Sequence, residues 1–222
     1  MNERKTILIT GAAGNLGTSV VEKFLDEGYF VIATAQHKND IPEKENLEVV
    51  ELNVFDEKAC RDFVDELIKR YLHIDAAALL VGGFAMGKLE ETTDESLQKM
   101  IQLNFLSAFH LVAPLFAHFK ENKSGKIILM GAMGALNPAA GKNMMAYSLS
   151  KSLLFQFNGL LNAAGQDLNV NSLVIAPSTI DTPQNRTAMP NADFSKWNKP
   201  ADIAALLFEF CEGSRSDEVI KL

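Results

Sequence analysis

The chain has 222 residues, of which 21 are basic and 28 acidic, and its formal net charge is −7 at pH 7. Because acidic and basic residues are interspersed, the sequence offers no basic surface for nucleic acid or for an anionic membrane. It shows neither a signal-peptide core nor an uninterrupted apolar run of spanning length, so we expect a cytoplasmic protein whose partner is a small molecule. The length suits one domain over residues 1–222, and we expect no metal site.

Short apolar runs alternate with longer helical patterns along the chain, which is typical of βαβ units and a parallel sheet. Strands are predicted at residues 6–10, 30–35, 47–52, 74–81, 126–130, 170–176 and 218–222. Helices are predicted at residues 16–27, 57–70, 94–119, 145–164 and 201–211. The pattern predicts an α/β fold with a doubly wound parallel sheet of about seven strands and helices on both faces. The irregular stretch 180–200 follows a strand and is a candidate substrate loop.

Three glycines lie between the first predicted strand and the first predicted helix. Gly11 permits a tight turn, Gly14 lets the backbone approach a pyrophosphate, and Gly17 lets the helix and strand pack closely. The N-terminus of the helix favours the negative charge of that pyrophosphate. In this context the pattern predicts a dinucleotide-binding Rossmann fold rather than a purely structural turn. The coenzyme-binding residues predicted here are Gly11, Ala13, Gly14, Asn15, Leu16 and Gly17.

The end of the second predicted strand bears on the choice between NAD and NADP. An aspartate there would bind the ribose 2′-hydroxyl of NAD, but this chain has Ala35, Gln36, His37 and Lys38. With no carboxylate to repel a 2′-phosphate and two basic residues nearby, NADP is slightly favoured over NAD. The same residues would also suit a solvated turn.

Tyr147 and Lys151 are spaced i and i+4 in the fourth predicted helix, so they share one helix face. A lysine ammonium in that position favours ionisation of the phenol and makes the tyrosine a candidate proton donor and acceptor. The stretch from residue 125 to residue 146 contains no serine and no threonine. No hydroxyl from that stretch is therefore available to bind a substrate beside the tyrosine.

These motifs together resemble the short-chain dehydrogenase/reductase family over essentially the whole chain. The resemblance implies an NAD(P)-dependent oxidoreductase in which Tyr147 is the general acid or base, Lys151 holds the nicotinamide ribose and Asn104 completes a proton relay. A capping or packing asparagine is the alternative for Asn104. The further coenzyme contacts that the resemblance implies are Val81, Gly82, Gly83, Lys151, Pro177, Ile180 and Thr182. The apolar helical segments 103–119 and 153–161 offer surface for a homodimer or homotetramer.

The chain departs from most of the family at the substrate site. Ala132 stands where the family usually has a serine that holds the substrate's carbonyl or hydroxyl group. The segments 79–83 and 177–178 also differ from the family's usual sequences. These departures weigh against ordinary alcohol or ketone chemistry.

On these points the chain resembles the quinonoid dihydropteridine reductase branch of the family, most specifically over residues 181–197. That resemblance implies hydride transfer to a quinonoid pterin, whose ring spreads the developing charge and so has less need of the missing serine. Phe84 stands where the branch has a tryptophan beside the pterin; core packing is the alternative for this residue. The substrate contacts predicted are Phe84, Ala132, Met133, Tyr147 and Arg186. A general carbonyl reductase and a non-catalytic coenzyme-binding sensor remain the alternative functions.

Overall fold

The computed structural model describes residues 4–222 and contains a sheet of seven parallel strands. The strands are β1 Thr6–Thr10, β2 Phe30–Ala35, β3 Leu47–Glu51, β4 Ala76–Leu79, β5 Gly125–Met130, β6 Val170–Ala176 and β7 Val219–Lys221. Their order across the sheet is β3-β2-β1-β4-β5-β6-β7. The chain order reverses between β1 and β4, and a crevice at such a switch point is where parallel α/β sheets bind ligands. The predicted doubly wound parallel sheet is confirmed.

The longer helices connect these strands. They are α1 Asn15–Asp26, α2 Glu57–Tyr71, α3 Asp94–Ile101, α4 Ser107–Asn122, α7 Met145–Gly165 and α9 Pro200–Cys211. Three short helices complete the set: α5 Met133–Leu136, α6 Pro138–Gly141 and α8 Pro183–Ala188. The sequence did not predict the short ones, because four to six residues are too few to show a helical period.

Two apolar layers cover the two faces of the sheet. Because strand side chains alternate, Ile7 and Ile9 face one layer and Leu8 faces the other. The first layer packs against apolar residues of α1 and α9, such as Phe24 and Phe210. The second layer packs against α2, α4 and α7. Burial on both faces explains why these strands are apolar nearly throughout.

Three predicted segments differ from the structure. The strand expected at 74–81 is paired only over Ala76–Leu79, so residues 80–83 leave the ladder at its carboxyl end. The helix expected at 94–119 is interrupted by a π-helical turn at Gln102–Leu106, which contains Asn104. Short π-helical turns inside α-helices occur frequently at functional sites. The stretch 180–200, expected to be irregular, contains α8 and a short 3₁₀ turn at Phe194–Lys196.

The helical run Asp94–Asn122 is, by length and composition, long and apolar enough to cross a membrane, with 29 residues and a mean hydropathy of 1.5. The sequence had suggested no run of that kind. In the fold, 44% of its most apolar window is buried, and Leu111, Leu115 and Phe119 lie in the core beside the sheet. A core helix meets the same test of length and composition.

Candidate active site

Two positions in the segment between β1 and α1 require glycine. Gly11 has φ +64°, and a Cβ atom there would lie 3.1 Å from the backbone nitrogen of Val81. A Cβ atom at Gly17 would lie 2.1 Å from the carbonyl oxygen of Gly11. Gly11 thus makes a tight turn against the chain after β4, and Gly17 lets α1 approach that turn. These are the roles that the sequence predicts for both residues.

The N-terminus of α1 presents backbone donors with no side-chain cap. The N-cap residue is Gly14, which has no side chain to accept a hydrogen bond from the first turn. The N–H groups of residues 15–17 have no acceptor within their own helix, and together with the helix dipole they form a site suited to a phosphate group. Asn15 donates a side-chain hydrogen bond to Gln184 of α8 at 2.6 Å. The stretch 180–200 therefore reaches the glycine segment.

A cavity of about 700 Å³ opens beside these glycines at the carboxyl ends of β1 to β4. Its volume lies within the usual range for ligand pockets. Seven of the predicted coenzyme residues line it: Gly11, Ala13, Gly14, Ala35, Gln36, Val81 and Gly82. The sequence missed a second group of lining residues: Thr34, Asp40, Glu51, Leu52, Asn53, Val54, Phe55, Leu80 and Leu103. The rule that ligands bind at the carboxyl ends of parallel strands could have identified those that follow β3.

The remaining predicted coenzyme residues lie outside that lining. His37 is exposed on the turn after β2. Thr182 caps α8 by accepting a hydrogen bond from the Asn185 N–H at 3.2 Å. The carbonyl oxygen of Ile180 accepts a hydrogen bond from the Asn185 side chain at 2.8 Å. Pro177 accepts one from the Met133 N–H at 3.0 Å. All three lie beyond the end of β6 and outside the cavity lining.

The side chains of Lys151, on helix α7, and Asn104 both lie close to Gly82, which lines the cavity. The buried Lys151 Nζ atom donates a hydrogen bond to the carbonyl oxygen of Met130 at 2.6 Å. The Asn104 Oδ1 atom accepts from the Gly83 N–H at 2.8 Å, and its Nδ2 atom donates to Ser150 Oγ at 3.0 Å. A Cβ atom at Gly82 would lie 2.8 Å from Asn104 Oδ1 and 3.1 Å from Lys151 Nζ. The side chain of Asn104 thus ties the segment after β4 to α7.

Burial acts on the two titratable groups of this helix in opposite senses. It raises the pKa of Tyr147 to about 12 and lowers the pKa of Lys151 to about 8. The pKa of Tyr147 is therefore raised overall, because the loss of water around the phenol dominates, and the lowering expected from Lys151 stays a prediction. Tyr147 is protonated at neutral pH, as a proton donor must be.

An exposed aromatic ring stands beside the phenol. The rings of Phe84 and Tyr147 are 5.0 Å apart between centroids and meet edge to face at 71°. The segment that carries Phe84 is fastened to α7, because Gly87 accepts a hydrogen bond from the Met145 N–H at 2.8 Å. Phe84 is 60% exposed, which excludes the alternative of core packing. The ring is available to stack against a flat ligand.

The other predicted substrate residues are Ala132, Met133 and Arg186, and they lie in different surroundings. Ala132 is buried at the start of α5, and Met133 is the first residue of that helix. Arg186 forms two hydrogen bonds with the Asp181 carboxylate, at 2.6 and 2.8 Å, and its guanidinium lies 4.6 Å from the Phe194 ring centroid. Arg186 also lowers the pKa of that carboxyl group. This ion pair holds Arg186 within its own loop, and its contact with a substrate stays a prediction.

A family model described as short chain dehydrogenase matches residues 5–193. The chain belongs to the short-chain dehydrogenase family. A dihydropteridine reductase of Dictyostelium discoideum is 30% identical over 225 residues, which covers 96% of this chain and 90% of that protein. An acetoacetyl-CoA reductase of Acinetobacter sp. (strain RA3849) is 26% identical over 195 residues, covering 82% of this chain and 77% of that protein.

The fold of this family member agrees with solved structures. A structure of ElxO with NADP bound superposes with a TM-score of 0.87 at 19% identity, covering 98% of this chain and 96% of the other. The family resemblance predicted from the glycine segment and the Tyr147 helix is confirmed, and so is the Rossmann fold. The protein is an NAD(P)-dependent oxidoreductase.

Proposed function

We propose that this dehydrogenase family member reduces a small, flat, conjugated substrate of the quinonoid dihydropterin type. One arrangement carries the proposal: the Tyr147 phenol lies beside the exposed ring of Phe84, while Ala132 provides no hydroxyl donor. A planar ring suits a site with an aromatic platform. The similarity to a dihydropteridine reductase at 30% identity supports this choice.

The residues present fit a nicotinamide coenzyme, which supplies a hydride when it is bound. The uncapped first turn of α1 and the glycine turn would hold its pyrophosphate, and the cavity along β1 to β4 would hold its adenosine half. We propose that Lys151, Ile180 and Thr182 hold the nicotinamide end. Residues 1–222 would then act as one domain, with 180–200 as the loop over the substrate.

In this proposal the chain's own residues supply the proton. Tyr147 is protonated at neutral pH and would donate its proton to the reduced substrate. The Lys151 ammonium, anchored on Met130, would stabilise the phenolate that remains. Asn104 holds α7 and the segment after β4 in register, which keeps Tyr147 and Phe84 together. We propose Asn104 as a positioning residue that also takes part in proton resupply.

Ala132 distinguishes this site from one built for isolated carbonyl groups. A ketone concentrates negative charge on one oxygen as hydride adds, so a fixed hydroxyl donor beside that oxygen stabilises the transition state. A conjugated ring spreads the same charge over several atoms and depends less on a single donor.

The test is the oxidation of NADH and NADPH in the presence of a quinonoid dihydropterin, simple quinones and simple ketones. We expect turnover with the dihydropterin, loss of at least about a hundredfold in Tyr147→Phe, and retained coenzyme binding in that variant. Ala132→Ser should raise activity on ketones, and Ala140→Ser, on an exposed residue of α6, serves as its matched control. Full turnover by Tyr147→Phe would refute the assignment.

A general carbonyl reductase is the second candidate, and the similarity to an acetoacetyl-CoA reductase favours it. Efficient ketone reduction by the unmodified protein, with no turnover of the dihydropterin, would select this candidate. Coenzyme binding without turnover of any substrate would select the sensor alternative.

We also propose that the protein forms a homodimer or homotetramer through α4 and α7. Phe109, Leu149, Leu153 and Leu160 are large apolar residues exposed on these two helices. Light scattering should give two or four times the 24.4 kDa mass of one chain, and Leu160→Glu should lower the measured mass.

A further inference from the structure

We infer that the coenzyme cavity selects NADH over NADPH and that the carboxylates of Glu51 and Asp40 make this selection. The inference deepens the proposed function and rests on its coenzyme site, but not on the choice of substrate. It reverses the slight preference for NADP that the sequence suggests.

Two carboxylates from different parts of the chain border the same cavity. Glu51 is the last residue of β3, and Asp40 ends the short turn Lys38–Asp40 after β2. Both line the cavity together with Gln36, which follows β2, the strand whose end this type of fold uses for the adenosine ribose. Within residues 4–222, neither carboxylate forms an ion pair with a lysine or arginine. The described lining contains no basic residue.

The basic residues that suggested NADP do not reach the cavity lining. His37 and Lys38 are exposed, and it is their backbone N–H groups that contact the two acids. The His37 N–H donates to Asp40 Oδ2 at 3.1 Å, and the Lys38 N–H donates to Glu51 Oε1 at 2.8 Å. Among residues 4–222 these bonds orient both carboxylates and use one oxygen of each. The second oxygen remains an acceptor for a ligand hydroxyl.

The two coenzymes differ at the group that would meet these acceptors. NAD carries a ribose 2′-hydroxyl, which can donate a hydrogen bond to a carboxylate. NADP carries a 2′-phosphate with a charge of about −1.5 to −2 at neutral pH and accepts hydrogen bonds there instead. Placing that group beside two unneutralised carboxylates adds repulsion and removes the donor. The geometry therefore favours NADH on both counts.

Coenzyme titration without substrate tests the inference separately from the reaction. Quenching of protein fluorescence should show NADH binding at least about tenfold more tightly than NADPH at low salt. The preference should narrow as NaCl rises from about 0.05 to about 0.5 M, because salt screens the repulsion. Equal binding, or tighter binding of NADPH, would overturn the inference while leaving the coenzyme site intact. Binding of neither coenzyme would instead refute the coenzyme site itself.

Charge-removing variants test the assignment to particular residues. Glu51→Gln, alone or combined with Asp40→Asn, should tighten NADPH binding severalfold and weaken NADH binding. The dissociation constant of NADPH divided by that of NADH should therefore fall. Glu66→Gln removes the same charge from an exposed position on α2 and should leave the ratio unchanged. A cooperative thermal unfolding transition serves as the control that each variant is folded. An unchanged ratio in the folded double variant would overturn the assignment.

Discussion

The Lys151 ammonium donates a 2.6 Å hydrogen bond to the carbonyl oxygen of Met130, the last residue of β5. The carboxyl end of an interior strand therefore fixes the position of the charge on α7. Because the side chain is buried, the pKa of Lys151 falls to about 8. This value places the titration of the proposed site close to neutral pH.

Reductase activity should therefore decline above about pH 8. In the proposed mechanism the Lys151 ammonium, present below that pH, would stabilise the Tyr147 phenolate, and above that pH the charge is lost. The value of kcat/KM, measured from about pH 6 to about pH 10, should be level at low pH and fall tenfold per pH unit on the alkaline side. Lys151→Met should lower the plateau by at least about a hundredfold. A level profile up to pH 10 would contradict this role.

Gly17→Ala should destabilise the protein and weaken coenzyme binding. The added Cβ atom would lie 2.1 Å from the Gly11 carbonyl oxygen, so α1 must move away from the turn at a cost of about 1–3 kcal/mol. Gly159→Ala is the matched control, because its Cβ atom meets nothing within 4 Å in the interior of α7. That change should stabilise the helix by about 0.5–1 kcal/mol. Urea unfolding measures both, and similar effects of the two changes would refute the steric argument.

Gly82→Ala should reduce turnover with a smaller effect on stability. Its Cβ atom would approach Asn104 Oδ1 to 2.8 Å and Lys151 Nζ to 3.1 Å, which displaces both polar groups. A misplacement of about 1 Å in a catalytic site costs on the order of a hundredfold in rate, so the smaller shift needed here should lower kcat by up to that factor. Steady-state kinetics, with the urea midpoint as the control for folding, separate the two effects. Unchanged kcat in the variant would show that the cluster at Gly82 does not serve the reaction.

Phe84→Leu should raise KM for flat substrates severalfold and leave kcat nearly unchanged. The change removes the ring but keeps an apolar side chain, so it loses a stacking contribution of about 0.5–1.5 kcal/mol. Because Phe84 is 60% exposed, the free energy of unfolding should change by less than about 0.5 kcal/mol. Phe84→Trp should keep or lower KM. A loss of binding that is equal for flat and for small aliphatic substrates would argue against a stacking role.

His118 should make the fold less stable below about pH 6.5. Its Nε2 atom accepts a hydrogen bond from the Ile74 N–H at 3.3 Å, and burial lowers its pKa from the ordinary value of 6.5. The unfolded chain then binds a proton that the folded protein excludes, so stability is full above pH 6.5 and falls as the pH decreases. Urea midpoints at about pH 7.5 and 5.5 measure the change. His118→Gln should reduce this dependence, whereas His37→Gln, at an exposed site, should not.

Features encoded within a few residues could be predicted from the sequence. Each of these features lies within a short stretch of chain: the apolar strand runs, the glycines from Gly11 to Gly17, and the pairing of Tyr147 with Lys151. Their geometry follows from local backbone rules, because the helical period and the φ range of glycine do not depend on distant residues. The fold class and the family followed from these features.

Contacts between distant segments were decided only by the tertiary structure. Sheet order and register bring Glu51 and Asp40 to the cavity, and the early end of β4 releases the segment that sets Phe84 beside Tyr147. Packing also raises the pKa of Tyr147, where the helical spacing alone suggested a fall. The pKa depends on how far water is excluded from the phenol, and the contacts depend on which strand ends lie together at one edge of the sheet. Those are properties of the whole packed domain, so no local pattern in the sequence specifies them.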